Sequence, residues 1–152
     1  MARKAIARCG AHFAAGWPRD IRLAVQLSLP GFLVFDLESL PRGIAAIVDI
    51  DERSIGVSAS LPQTSQRYAI AHEIGHVALE HPRYVFCAAG RQDDILEREA
   101  DYFAREFLVP LATLRRAFRF CRDYEQLAEK FLLDRDVMYI RFAETGLLRQ
   151  VL

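Results

Sequence analysis

The chain has 152 residues, enough for one domain whose core needs no disulfides to hold it. Hydrophobic residues make up 52% of it, which argues against disorder as the default state. Twenty basic and twenty acidic side chains cancel, so no global charge draws the protein to nucleic acid or to an anionic membrane.

Residues 2–15 are rich in Ala and charged side chains and are predicted to be helical. Gly16-Trp17-Pro18 interrupts them, and Pro18 is suited to start a helix over 19–27. Phe32-Leu33-Val34-Phe35 is a short apolar run of strand type. Pro41-Arg42-Gly43 signals a turn, and residues 44–58 read as a β-hairpin reversing at Asp51-Glu52-Arg53-Ser54. Thr64 or Ser65 is a candidate cap for a helix over 66–80, which Pro82 ends. Residues 83–93 read as loop, with an extended stretch at 84–87. Ala100, Phe103, Ala104 and Phe107 recur at helical spacing and predict a helix over 95–108. Further helices are expected over 111–121, 123–131 and 135–144, with Gly146 as a C-cap. The regions divide into a helical N-terminus (1–28), a sheet region (32–60), two central helices (64–108) and C-terminal helices (111–148), expected to form one compact domain over 1–152.

Cys9, Cys87 and Cys121 are odd in number and lack C-x-x-C spacing, so they read as buried reduced thiols. The basic start has no apolar stretch of signal-peptide length, and no run of 18 apolar residues exists. A cytoplasmic, non-membrane protein is the expectation.

The strongest motif is His72-Glu73-Ile74-Gly75-His76. On a helix, positions i and i+4 lie one above the other, so two imidazoles reach one ion. Zn²⁺ takes imidazole readily, and the intervening Glu73 can approach a water without binding the metal. Chance production of this pattern is rare, and it lies in a segment that reads as helix on other grounds. One further protein ligand is needed. The extended H-E-x-x-H-x-x-G-x-x-H pattern is absent, since position 79 is Leu and position 82 is Pro. His81 is an outside candidate, and His12 has no supporting pattern. The acidic helix Glu97-Arg98-Glu99-Ala100-Asp101 is the better source. Glu99 and Glu97 both flank its apolar stripe, and the pattern favours Glu99 without excluding Glu97. Asp101 reads either as a hydrogen-bond acceptor for a metal-bound histidine or as an ordinary surface carboxylate.

These residues resemble a known family. Ser60-Leu61-Pro62, the run from Arg67 to His76, and the run from Glu97 to Pro110 are similar to the ImmA/IrrE-type zinc metallo-endopeptidases. The likeness covers about 18–148 and is strongest over 60–110. Its tail includes Gln126 to Phe131 and Val137 to Phe142, although Leu132-Leu133-Asp134 replaces the family's usual Gly-Val-Ser turn. The resemblance implies an α+β fold: a thermolysin-like, gluzincin-type core with a small, mostly antiparallel sheet packed beside the H-E-x-x-H helix, then further helices. It implies His72, His76 and Glu99 as zinc ligands and Glu73 as general base. It also implies a protein substrate, a helix-turn-helix repressor or an antitoxin, and hence a role in transcription regulation.

Arg67, Tyr68, Tyr102 and Tyr139 are candidate donors to an oxyanion. For Arg67 the alternative is a structural role. The hairpin edge is a candidate site for an extended substrate. Two other classes of function compete. A DNA-binding pair of helices over 126–142 would use Arg135, Arg141 and Arg149, but Asp134, Asp136 and Glu144 interrupt that surface, so no direct nucleic-acid binding is expected. A catalytically silent domain that sequesters a regulator is the other. Phe118, Phe120 and Phe131 fit such a partner surface, though aromatics at helical spacing are more often core.

Overall fold

The computed structural model describes residues 17–82 and 91–151, without the side chains of 91–94. The expected helix over 2–15, the extended stretch at 84–87, His12, Cys9 and Cys87 lie outside the described residues.

The first described helix, α1, spans Ile21–Ser28. It starts two residues later than expected because Asp20 caps it, accepting from the Arg22 and Leu23 amides. Three strands follow: β1 (Leu33–Leu37), β2 (Ala46–Asp49) and β3 (Ser54–Ser58). β2 and β3 form the expected hairpin, in register from Ala46↔Val57 to Asp49↔Ser54. The Asp49 carboxylate closes its turn by accepting from the amides of Asp51 and Glu52. β1 lies parallel to β3, giving the order β1-β3-β2. The sheet is therefore mixed, with one antiparallel and one parallel pair. A parallel neighbour requires a crossover, and residues 38–45 carry the chain from β1 to β2 on the far side of β3.

Helix α2 spans Gln63–Ala78 and carries the histidine motif. Neither Thr64 nor Ser65 caps it. Pro62 occupies the cap position, and both hydroxyls donate instead to the carboxylate of Asp134. Helix α3 (Arg91–Leu108) begins four residues earlier than the apolar pattern suggests. Helices α4 (Leu111–Phe118), α5 (Tyr124–Phe131) and α6 (Arg135–Thr145) follow, with Gly146 at φ 74° as the C-cap of α6, and a short 3-10 turn at Leu148–Gln150 lies near the end of the described chain. Asp123 caps α5 through the Glu125 and Gln126 amides.

The core lies between the sheet and α2, and between α2 and α3. Ile55 and Val57 of β3, Ile70 and Ile74 of α2, and Phe103 and Phe107 of α3 are all buried. Gly75 sets the approach of the two central helices. A Cβ there would meet the Ala100 backbone at 3.2 Å and the Phe103 ring at 3.1 Å. Only hydrogen at position 75 lets α3 come this close.

The C-terminal helices are packed into the molecule. Leu127, Phe131, Met138 and Phe142 are buried, as is Phe118, whereas Phe120 is 87% exposed. Arg141, which a DNA-binding surface would need, is buried with 2% exposure. Arg67 is also buried. It donates to the carbonyls of Leu132, Arg19 and Phe131, which makes it a clamp between α2, α5 and the segment before α1. No helix among the described residues is long and apolar enough to cross a membrane.

Candidate metal centre

Within α2, His72 and His76 stand one turn apart, with their Nε2 atoms 2.9 Å from each other. Helix α3 crosses beside them and brings Glu97. One Glu97 oxygen lies 3.0 Å from His72 Nε2 and the other 3.3 Å from His76 Nε2. One ligand atom from each of His72, His76 and Glu97 falls within a 4.8 Å cluster. Two imidazoles and one carboxylate are the donor set of a catalytic zinc site, which keeps a fourth position open. The arrangement is geometrically compatible with a single zinc ion.

Glu99, the expected third ligand, is not in this cluster. Its Oε2 lies 3.2 Å from Nε2 of His81, and its side chain is 54% exposed. The reason is helical phase. Glu97 lies about 60° from Ala100 around the helix, and Glu99 about 100° on the opposite side. Since Ala100 is the point of contact with Gly75, Glu97 turns toward the histidines and Glu99 passes behind them. Asp101 follows Glu97 by one turn, and its Oδ1 lies 2.9 Å from His72 Nδ1. Asp101 thus takes the first of its two expected roles: it orients a histidine from the side away from the cluster.

That carboxylate is itself anchored. Tyr68 donates to Asp101 Oδ1 at 2.8 Å and accepts from Arg105 Nη1 at 3.1 Å. Arg105 in turn pairs with Glu144 of α6 at 2.7 Å. A continuous polar chain therefore runs from α6 to His72. Of the four residues suggested as oxyanion donors, Tyr68 alone lines the groove at this site. Arg67 is committed to three carbonyls, and Tyr139 is half-exposed and packs edge-on against Tyr124.

Glu73 is 3% exposed, and its Oε2 has no hydrogen-bond partner among the described residues. A buried carboxylate oxygen of this kind calls for an explanation, and a site that takes a water or a substrate proton supplies one. Burial pushes the Glu73 carboxyl up to about 7, against the opposing pull of His72. At His72, burial works against the charged form, but hydrogen bonds to Asp101 and Glu97 outweigh it and raise the value to about 9. Burial and the neighbouring His72 lower His76 to about 4. The hydrogen bond from His72 holds Glu97 below the ordinary carboxylate range.

A groove of about 460 Å³ opens onto these residues. Gly43, Ile44, Ala45 and Ala46 form one wall, at the entry to edge strand β2. Leu61, Tyr68 and Ala69 lie along it, and His72, Glu73 and Glu97 are at its chemical end.

The comparisons with known proteins agree with this geometry. Residues 36–142 match the family model for the IrrE N-terminal-like domain of the Peptidase_M78 group. No curated protein matches the chain. Among the solved structures that match is one described as a Mycobacterium tuberculosis transcriptional regulator, at 17% identity and a TM-score of 0.71. The match covers 93% of this chain and 46% of that one, so the chain spans about half the length of that regulator. At this identity the likeness establishes the shared fold. With the family model spanning most of the sequence and a His-His-Glu cluster between the motif helix and α3, the chain belongs to the Peptidase_M78 family and carries its IrrE N-terminal-like domain.

Proposed function

We propose that this protein cleaves a regulatory protein in the cytoplasm, such as a helix-turn-helix repressor or an antitoxin, with His72, His76 and Glu97 holding zinc and Glu73 acting as general base. The observation that carries the catalytic reading is the buried Glu73 oxygen, without a partner among the described residues, in a groove that is also lined by His72 and Glu97. His72, His76 and Glu97 would hold the zinc ion, which would supply Lewis acidity toward a carbonyl and a bound water. Glu73, which lines the groove beside His72, is placed to take a proton from an attacking water and to pass it to the departing amine. The groove wall at 43–46 leads into edge strand β2, whose outer side suits pairing with an extended substrate chain. The regulatory substrate is supported by the family's resemblance and by the structural likeness to a protein described as a transcriptional regulator.

The test pairs wild type with Glu73→Gln, both loaded with zinc, against purified candidate repressors and antitoxins. The wild type is expected to cut one of them. Glu73→Gln should retain stoichiometric zinc and lose about 10²–10⁴-fold in cleavage rate. If zinc-loaded wild type binds a regulator tightly and leaves it intact, the protein is a sequestering domain and not its protease.

A further inference from the structure

Histidine 81 lies just past the end of α2, where a helix usually gives way to solvent. It is instead buried, with 4% of its side chain exposed. The backbone brings it there. Glu80 adopts φ 58°, in the left-handed region, and the His81 amide donates back to the His76 carbonyl at 3.0 Å. This six-residue closing turn folds the His81 ring onto His76. The two Nδ1 atoms are 2.9 Å apart, and His81 Nε2 lies 3.2 Å from Glu99 Oε2.

We infer that Glu99 and His81 form a positioning pair that holds His76 in the orientation and tautomer needed to bind zinc. This inference rests on the zinc-site reading above. With His81 neutral and Glu99 ionised, donor and acceptor counting selects one arrangement. Glu99 is an acceptor, so His81 donates to it through Nε2–H. Neutral His81 then has only a lone pair at Nδ1, which accepts from His76 Nδ1–H. The lone pair of His76 remains on Nε2, the atom facing His72 and Glu97. Asp101 imposes the same tautomer on His72 directly. Helix α3 therefore supplies three carboxylates with different tasks: Glu97 toward the ion, Asp101 behind His72, and Glu99 behind His76 through His81. This gives Glu99 a role that its position outside the cluster would not suggest.

The experiment measures zinc affinity by chelator competition, and the visible absorption of the cobalt-substituted protein, for wild type, Glu97→Ala, Glu99→Ala, Glu99→Gln, His81→Ala and the Glu99→Ala/His81→Ala double variant. Glu97→Ala should lose tight zinc binding. His81→Ala and Glu99→Ala should still bind one zinc per chain, weaker by about 10–100-fold, with an altered cobalt spectrum. The double variant should be no weaker than His81→Ala. Glu99→Gln, whose amide oxygen still accepts from His81, should recover most of the affinity. Glu99 is half-exposed, so its variants are expected to fold. Wild-type affinity and an unchanged spectrum in Glu99→Ala would overturn the pair while leaving the zinc site standing. Loss of zinc in Glu99→Ala with retention in Glu97→Ala would make Glu99 the ligand and also overturn it. A wild type that binds no zinc would remove both readings.

Discussion

Arg141 and Glu73 are both buried charged side chains, and they are treated in opposite ways. At one end of α3, Arg141 is enclosed and fully answered: it donates to the Val109 carbonyl and to the carboxylates of Glu106 and Glu144. At the other end, Glu73 is equally enclosed, yet one of its oxygens meets no partner among the described residues. The first arrangement joins α6 to α3 and its C-terminal turn. The second keeps a carboxyl in an environment that disfavours its charge. A buried ion with all its hydrogen bonds satisfied is consistent with architecture, whereas one left short beside two histidines is consistent with chemistry.

The contrast can be broken most forcefully at Arg141. Arg141→Met leaves two carboxylates and a carbonyl without their common donor, and should cost about 3–5 kcal/mol. Glu106 and Glu144 retain some solvent access, which favours the lower figure. Denaturant unfolding of the metal-free protein would measure it, and a cost under about 1 kcal/mol would show that the cluster is not structural.

Glu73 should respond in the reverse sense. Its carboxyl is raised to about 7 by burial, so between its ordinary value and that one the folded state binds more protons than the unfolded state. Stability therefore falls as pH rises through this window, and the full penalty is present above about pH 7. Glu73→Gln does not titrate. In the metal-free protein it should be more stable than wild type at pH 8 by about 3 kcal/mol, with the gain vanishing below about pH 4.5. Equal stability at pH 8 would mean that the Glu73 charge is not strained.

Gly75→Ala sharpens the comparison at the point where the two helices meet. The added methyl meets backbone atoms of Ala100, which cannot turn aside as a side chain would. A cost of about 1–3 kcal/mol is expected from thermal unfolding, with weaker zinc binding as α3 shifts outward. Unchanged zinc affinity would show that the registry of Glu97 tolerates a displaced helix.

The histidines and Glu73 were legible because their geometry is internal to one helix: spacing alone places them. Glu97 and Glu99 were not separable in this way. Both flank the Ala100 stripe, and which of them meets the histidines depends on how α3 is rotated against α2. That rotation is fixed by the contact between Gly75 and Ala100, which no single-helix pattern contains. One signal was available. Glu97 and Asp101 are a turn apart and can offer a carboxylate to each side of one histidine, whereas Glu99 has no acidic residue three or four positions away. The hairpin was legible from its composition, but the parallel pairing of β1 was not, because the crossover through 38–45 bears no pattern of its own. Thr64 and Ser65 have the chemistry of caps, yet Asp134 offers their hydroxyls a tertiary partner. Arg67 reads first as a structural residue with a substrate contact as the alternative, and its three carbonyl partners decide for structure.

The polar chain from Glu144 through Arg105, Tyr68 and Asp101 to His72 has a practical consequence for where this module ends. The family match stops at residue 142, two positions before Glu144. A protein trimmed to that match would keep every atom of the metal cluster and still cut the last anchor of the carboxylate that orients His72. It would also discard Arg19, whose carbonyl receives Arg67 at the start of the motif helix. The heritable pattern and the working unit thus have different borders, and the second is drawn by hydrogen bonds that reach past the first on both sides.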